Sequence, residues 1–532
     1  VGQADLRVRG APFSSSGLSL AGLALRNPQT EHFHLELPLP SALLRRPALS
    51  TGVEQLLSGT GHFAGSVSLS LSPVTDRRLI QAGLGERDSA WTGFFAESRL
   101  SADSGWGASV FGYREQQGGR DYADNDLERW QGGLRVQHAD ADHQVDLVAA
   151  RQRKHFGARG FYGSSAAFAS QEDLDDTLLL ASGRWTRPEN DGYIRLTTAW
   201  RKLDDHYVLD RDRPALYENS HRSRVGALAV DGKEPLLPGS LSLIWRLDAE
   251  QERLDSTAFG DFRRERLGVT LAPVIVRGPV EFTAGVRSLV FTGDSPACLG
   301  LARVTVRVAP GQRLFAGYSQ NTRRPSYTEL YYRSVSSIGN PNLEREDSDD
   351  IELGWEGRIS DSIGGRITIF HRRTRNTVDW IQTGPASRWQ ASDLGKVETR
   401  GVEFTARFTP ESPWNADLTY TILDKTYDAS LYASRYALDY ADHRVTATVR
   451  WQATSSVQFF TTQTILCQAE NRARTSSRDA VLGRAGIGYV PHRLPALLIT
   501  VTVENTWDED FDVYPGQRPN RRALFATATF TF

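Results

Sequence analysis

Residues 523–532 read ALFATATFTF, an unbroken alternation that closes the chain. Successive side chains of a strand point to opposite faces, so Leu524, Ala526, Ala528, Phe530 and Phe532 share one side and Thr527, Thr529 and Thr531 the other. An apolar face toward lipid and a hydroxylated face toward a wet lumen, over about ten residues, is one crossing of a transmembrane β-barrel. The same pattern recurs upstream. Residues 497–504 (LLITVTVE) turn Leu497, Ile499, Val501 and Val503 outward and Thr500, Thr502 and Glu504 inward, and residues 445–451 (VTATVRW) turn Val445, Ala447, Val449 and Trp451 outward.

The rest of the composition agrees. In 532 residues no stretch approaches the run of about twenty apolar residues that a membrane helix needs. Mean hydropathy is −0.41 although 10% of residues are aromatic, as expected when lipid-facing and water-facing side chains alternate and cancel. Sixty-two basic residues against 64 acidic ones give no field suited to nucleic acid. Cys298 and Cys467 lie far apart, in or beside expected strands, and read as free thiols. No Gly-x-Ser-x-Gly, His-Glu-x-x-His or phosphate-binding glycine loop occurs, so nothing points to an enzyme. The chain contains no methionine and starts at Val1 without a signal peptide, as a processed or partial chain would.

Connections alternate in length. Short turns at 101–105, 138–143, 187–192, 308–313, 359–364, 409–415 and 453–456 take turns with longer polar segments at 116–126, 152–175, 204–216, 321–346, 373–397 and 426–439. Short periplasmic turns and long extracellular loops mark outer-membrane barrels. Counting from Arg77 gives about 22 antiparallel strands, a lumen wide enough to need filling. Residues 1–76, with short β segments and glycine turns, read as part of a lumenal plug, and 77–532 as the barrel. The fold expected is an all-β membrane protein in the bacterial outer membrane, in contact with its lipids.

Several motifs then carry a family resemblance. DLRVRG (5–10), GLALRNPQT (22–30) and GVEQLLSGTGHFAGSVSL (52–69) are similar, in order, to plug elements of TonB-dependent outer-membrane receptors. RRPSYTELYY (323–332), GNPNLEREDS (339–348), ELG (352–354) and NTWDEDFDVYPG (505–516) resemble barrel elements of the same family. The NPQT hairpin, the paired Tyr331 and Tyr332, and VDWI (378–381) are closest in style to the cobalamin-receptor-like subgroup. Departures are Ala21 and Ser58, where the family carries Asp and Arg. The resemblance implies a further β-rich plug portion and a mobile TonB-contact segment ahead of Asp5, which we expect in a longer precursor. It also implies the TonB complex as a partner, and a surface lipoprotein or other outer-membrane protein as a further one.

Three functions are compatible with these residues. The first is energised uptake of a scarce bulky nutrient, a corrinoid such as cobalamin ahead of a ferric siderophore. The second is a receptor-derived barrel with a structural or assembly role and no active transport. The third, an open porin, leaves the plug motifs without a role. For a ligand cup, aromatic residues in polar loops are informative: Tyr327, Tyr331, Tyr332, Trp380, Trp389, Tyr427, Tyr432 and Tyr436 offer flat apolar faces with a polar tip. A Tyr or Trp near a strand end is equally expected in the interfacial girdle. On the plug, the resemblance more than chemistry selects Phe13, Ser14, Ser15 and Ser16 and the hairpin residues Asn27, Gln29 and Thr30. Asp121, Asp124 and Asp126, with Glu128 beside them, could supply hard oxygen ligands to calcium, a use the cobalamin-receptor resemblance implies. Their spacing is not that of an EF-hand, and a solvated acidic loop is the plainer reading, as for Glu172, Asp173, Asp175 and Asp176. His32, His34 and His62 read as turn or packing residues.

Overall fold

The computed structural model describes residues 3–32, 36–100, 105–119, 124–161, 168–334, 336–385, 387–410, 413–428, 433–515, 517 and 521–532. The N-terminal part contains strands β1 (Ser16–Leu20), β2 (Leu23–Ala24), β3 (Ala48–Ser50) and β4 (Gly65–Leu69), with helix α1 (Gly52–Ser58) between the last two. They form one small sheet in the order β2-β1-β4-β3, in which β1 and β4 run parallel. The helix was not foreseen among the short β segments. It forms because Val53 and Leu56 share a buried face while Glu54 sits in the first turn, and Gly59, at φ 71°, stops it with a left-handed residue.

The barrel strands start with β5 (Arg77–Gly85), β6 (Ser89–Arg99), β7 (Trp106–Gln117), β8 (Leu127–Ala139) and β9 (His143–Gly157). It continues through β10 (Gln171–Arg187), β11 (Gly192–Val208), β12 (Glu218–Leu237), β13 (Leu241–Ser256), β14 (Gly260–Arg277), β15 (Val280–Phe291), β16 (Ala297–Ala309) and β17 (Gln312–Arg323). Then come helix α2 (Tyr327–Tyr331) and strands β18 (Ser337–Ile338), β19 (Glu346–Arg358), β20 (Ile363–Arg375), β21 (Val378–Gln382), β22 (Trp389–Asp393), β23 (Val397–Phe408), β24 (Trp414–Tyr427) and β25 (Ala433–Ser434). The chain ends with β26 (Ala441–Gln452), β27 (Val457–Gln468), β28 (Asp479–Tyr489), β29 (Leu497–Glu504) and β30 (Ala523–Thr531).

Twenty-two of these strands close a barrel, sealed where β30 pairs antiparallel with β5, Phe530 opposite Ile80 and Thr527 opposite Gly83. On β30 the alternation reads as the sequence demands: Leu524, Phe530 and Phe532 are exposed to the lipid side. Cys298 and Cys467 are free. The plug packs its leucines, Leu18, Leu20, Leu23 and Leu43, against lumen-facing Phe95, Phe111, Val148 and Leu178. Such apolar contact between a plug and a barrel wall is favourable at roughly 25 cal/mol per Å² buried.

Two expectations change. Segment 152–175 is not all loop, since β9 runs to Gly157 and β10 starts at Gln171, and β11 likewise extends to Val208 beyond the expected break at 204. Glu172, Asp173, Asp175 and Asp176 therefore belong to a strand. Glu172 and Asp176 turn inward and are buried, while Asp175 on the outer face pairs with Arg153 at 3.2 Å. Beyond the lipid both faces of a strand meet water or polar protein, so the hydropathy alternation that reveals a crossing vanishes while the strand continues. The long segments 321–346, 373–397 and 426–439 also carry structure. They contribute α2 and a second four-stranded sheet, ordered β18-β22-β21-β25, that ties the three loops together.

The β1–β2 hairpin turns on Ala21 (φ 50°) and Gly22 (φ 81°). A Cβ on residue 22 would overlap the Arg195 guanidinium, so Gly22 is required twice, for conformation and for space. Ala21 gains nothing from its left-handed conformation, whereas Asn or Asp tolerates it. Ala21→Asn is accordingly expected to stabilise the plug by about 0.5–1 kcal/mol, read as a higher melting temperature of the purified protein.

Candidate functional site

The tip of the plug rises between the extracellular loops. Pro12 precedes a short 3-10 turn, Phe13–Ser15, and a second tip is the turn at 27–30. Asn27 builds that turn: its Oδ1 accepts from the Gln29 amide at 3.3 Å and its Nδ2 donates to Thr30 Oγ1 at 3.1 Å. The first turn of α2 then docks on it, Tyr327 N donating to Pro28 O at 3.0 Å and Thr328 N to Gln29 O at 2.8 Å. A capping box holds α2: Glu329 N donates to Ser326 Oγ at 3.2 Å and Ser326 N to Glu329 Oε2 at 2.7 Å. Glu329 is paired in turn with buried Arg323 at 2.9 Å.

Above these tips the second sheet lines a cavity of about 100 Å³ that opens toward solvent. Phe13, Ser14, Gln29, Thr30, Tyr332, Trp380, Trp389 and Tyr436 lie on its wall. Phe13 stacks on His32 with centroids 3.9 Å apart and meets Tyr436 edge-on at 5.0 Å; Tyr332 meets Trp380 edge-on at 6.4 Å. Ser15, Ser16, Asn27, Tyr327 and Tyr331 do not line it. Ser15 and Ser16 are buried in the plug, Tyr327 lies beneath Arg264 at 3.7 Å, and Tyr331 stacks on Phe262 at 4.3 Å. Tyr427 is exposed at the end of β24. Tyr432, Asp121 and His34 lie outside the described residues.

The wall has members that sequence reasoning missed. Tyr207, Asn219, His221 and Asp205 stand on the lumen face near the extracellular ends of β11 and β12, Glu172 on β10, and Phe259 in the tight turn before β14. Their inward parity was readable, but the point at which the strands rise past the lipid was not. Four carboxylates, Glu172, Asp205, Glu329 and Asp379, line the cavity against one guanidinium, Arg435. Arg435 lies 5.4 Å from the ring of Trp389 and donates to Tyr436 Oη at 2.9 Å.

Asp379 ties β21 to β25 and the residues that follow it. It accepts from the Trp380 amide at 2.8 Å, from the Tyr436 amide at 3.1 Å and from Ser434 Oγ. Burial pushes its carboxyl up to about 6, and these hydrogen bonds offset only part of that rise. A carboxyl raised on folding contributes stability that is complete below its unfolded value, near 3.9, and is lost as pH climbs through about 6. The fluorescence difference between the wild type and Trp380→Phe is therefore expected to titrate with a midpoint near 6, and to lose that midpoint in Asp379→Asn.

The acidic loop resolves into ion pairs. Asp124 pairs with Arg159 at 3.2 Å and Asp126 with Arg211 at 2.8 Å. Among the described residues no group of three or more His, Cys, Asp or Glu could hold a metal ion.

The plug is locked to the barrel by buried charge. Arg9 places its guanidinium 2.5 Å from Glu352 on β19 and 2.8 Å from Glu403 on β23, with its Cζ 4.0 Å from the Phe370 ring centre. Arg26 pairs with Glu31 on the plug and approaches Glu252 of β13 at 3.4 Å, and Arg303 of β16 reaches Glu54 of α1 at 2.6 Å.

Known proteins share this fold. The family model described as "TonB dependent receptor-like, beta-barrel" matches residues 74–489. A vitamin B12 transporter BtuB of Photobacterium profundum is 25% identical over 219 residues, 40% of this chain and 34% of that protein. The chain thus matches about a third of that relative's length. Among solved structures, the FrpB iron transporter of Neisseria meningitidis superposes with TM-score 0.78 at 11% identity, covering 100% of this chain and 94% of that one. A mutant of the ferric enterobactin receptor PfeA of Pseudomonas aeruginosa gives 0.78 at 13% identity, covering 98% and 91%. With a closed 22-strand barrel, a lumenal plug sheet and a family match over most of its length, this outer-membrane chain belongs to the TonB-dependent receptor family.

Proposed function

We propose that the protein captures a bulky, neutral or cationic ligand in the extracellular cavity and takes it up by displacement of the plug, with the TonB complex pulling on a segment upstream of the residues described. A corrinoid stands ahead of a ferric siderophore. The observation that carries this order is the charge of the wall: besides Glu329, which is paired with Arg323, three carboxylates, Glu172, Asp205 and Asp379, face one guanidinium among aromatic rings. A ferric tris-catecholate carries three negative charges and would be repelled there, because like charges in a partly desolvated site cost several-fold more than in water. A neutral macrocycle with amide side chains instead finds flat aromatic faces and hydrogen-bond acceptors. The partial likeness to vitamin B12 transporters supports the same order.

Equilibrium binding to the purified protein tests it, with cyanocobalamin and a ferric catecholate siderophore compared by tryptophan quenching. The corrinoid is expected to bind more tightly. Tighter binding of the siderophore would sink the charge argument, and binding of neither would favour a structural barrel. Calcium in loop 116–126 requires Arg159 and Arg211 to release Asp124 and Asp126. If calcium acts there, it should raise ligand affinity more strongly in Arg159→Ala and Arg211→Ala than in the wild type.

A further inference from the structure

The outer wall of β9 to β14 carries an arrangement that ligand uptake does not use. Following direct cross-strand partners from β9, one row reads Arg151, Thr177, Lys202, Arg224, Arg253, Arg263. All six point away from the lumen, by the same parity that turns Leu147, Trp200 and Leu228 to lipid. Lys202, Arg224, Arg253 and Arg263 are thus four like charges in succession, directly opposite one another across neighbouring strands, a pairing that destabilises a sheet unless something neutralises it.

The protein supplies only part of that neutralisation. Asp175 takes both Arg151 and Arg153, Asp204 takes Lys202 and Arg222, Asp255 takes Arg224 and Arg253, and Glu265 takes Arg263, so four carboxylates serve seven cations. Farther from the membrane Asp173 and Glu218 are engaged by His155 and His206, and Asp261 lies opposite Asp255. Among the described residues, the acidic side chains without an Arg or Lys partner thus lie farther from the membrane, and cations outnumber carboxylates along the row itself.

Directly below the β9 to β12 part of this row the wall is apolar and concave. Ala149, Ala181, Gly226 and Ala249 keep its floor low between Leu147, Trp200 and Leu267. A Cβ on Gly226 would meet nothing within 4 Å, so packing does not demand a glycine there, and its absence of side chain leaves open space beside Trp200, its direct partner. The row spans five strand spacings, about 24 Å. Because barrel strands tilt by about 35–45°, it climbs away from the bilayer toward β14; on β13 and β14, Gln251 and Glu265 intervene between it and the apolar residues.

We propose that this wall is a binding site for an outer-leaflet lipid with a phosphorylated headgroup, its phosphate oxygens on the cationic row and its acyl chains in the concavity below. The side is set by the long connections, which face outward from the cell. Guanidinium groups suit phosphate through paired donors, and cations near a membrane surface each strengthen attachment to anionic lipid about fivefold.

Native mass spectrometry of the delipidated protein in detergent, with added diphosphoryl lipid A or the same lipid without its phosphates, provides the test. Wild type is expected to retain the phosphorylated lipid selectively. Lys202→Gln/Arg224→Gln/Arg253→Gln should weaken retention about a hundredfold at fivefold per cation, while Arg373→Gln/Arg400→Gln on the exposed face of β20 and β23 should not. Gly226→Leu, whose Cβ meets no atom within 4 Å, should weaken retention with the cations intact. Equal retention by the triple variant, equal binding of the phosphate-free lipid, no effect of Gly226→Leu, or displacement by millimolar inorganic phosphate would each overturn the proposal.

Discussion

Arg9→Ala is expected to detach the plug from the barrel wall at a cost of about 3–5 kcal/mol, the range for breaking a buried ion pair. The reason lies in what remains. Arg9 is buried between Glu352 and Glu403, and Glu352 is itself largely buried. Without the guanidinium, two carboxylates face each other with no counter-charge at hydrogen-bond distance from this side of the plug. Calorimetry should show a separate, earlier plug transition, and cells should become permeable to large antibiotics that an occupied lumen excludes. Arg9→Ala/Glu352→Gln/Glu403→Gln should recover part of the loss, since removing both charges relieves the repulsion that the single change leaves behind. If the single variant melts with the wild type and stays tight, the lock is elsewhere, with Arg26 and its carboxylates the next place to look.

Trp380→Ala should weaken ligand binding by about 2–4 kcal/mol, some thirtyfold to a thousandfold, as for other central aromatic anchors. Trp380 is half-buried on the cavity wall and meets Tyr332 edge-on, so truncation removes both a ligand face and the support of a second ring. Tyr427→Ala is the matched control: an exposed ring at a strand end, outside the cavity. A loss confined to Trp380 supports the cavity as the binding site. Equal losses, or none, would move the site away from it. The Gln29 and Thr30 tip shares a short turn with Glu31, the partner of Arg26. Ligand contact at the tip and the plug lock are thus only a few residues apart along the chain.

Several residues were legible because their reason for being where they are is local. The alternation of β30 follows from a two-residue repeat meeting lipid on one side, and the short turns follow from what two antiparallel strands allow. The plug tip at Phe13, Ser14, Gln29 and Thr30 was reached through motif order, and the loop aromatics Tyr332, Trp380, Trp389 and Tyr436 through the oddity of large rings in polar segments. Tyr327 and Tyr331 belonged to the same group by that criterion, yet they pack on Phe262 and under Arg264, because α2 turns its faces in a direction that no local signal encodes.

The amino-acid pattern alone established a barrel of about 22 strands with a plug in its lumen, since lipid on one side and water on the other impose a periodicity that any single strand displays. Tertiary structure alone decided the cavity. Asp205 and His221 reach it from strand ends, Asp379 from a loop sheet and Phe13 from the plug. Groups separated by hundreds of residues are brought together by ring closure and strand register, and neither leaves a trace in the spacing of the residues that they unite.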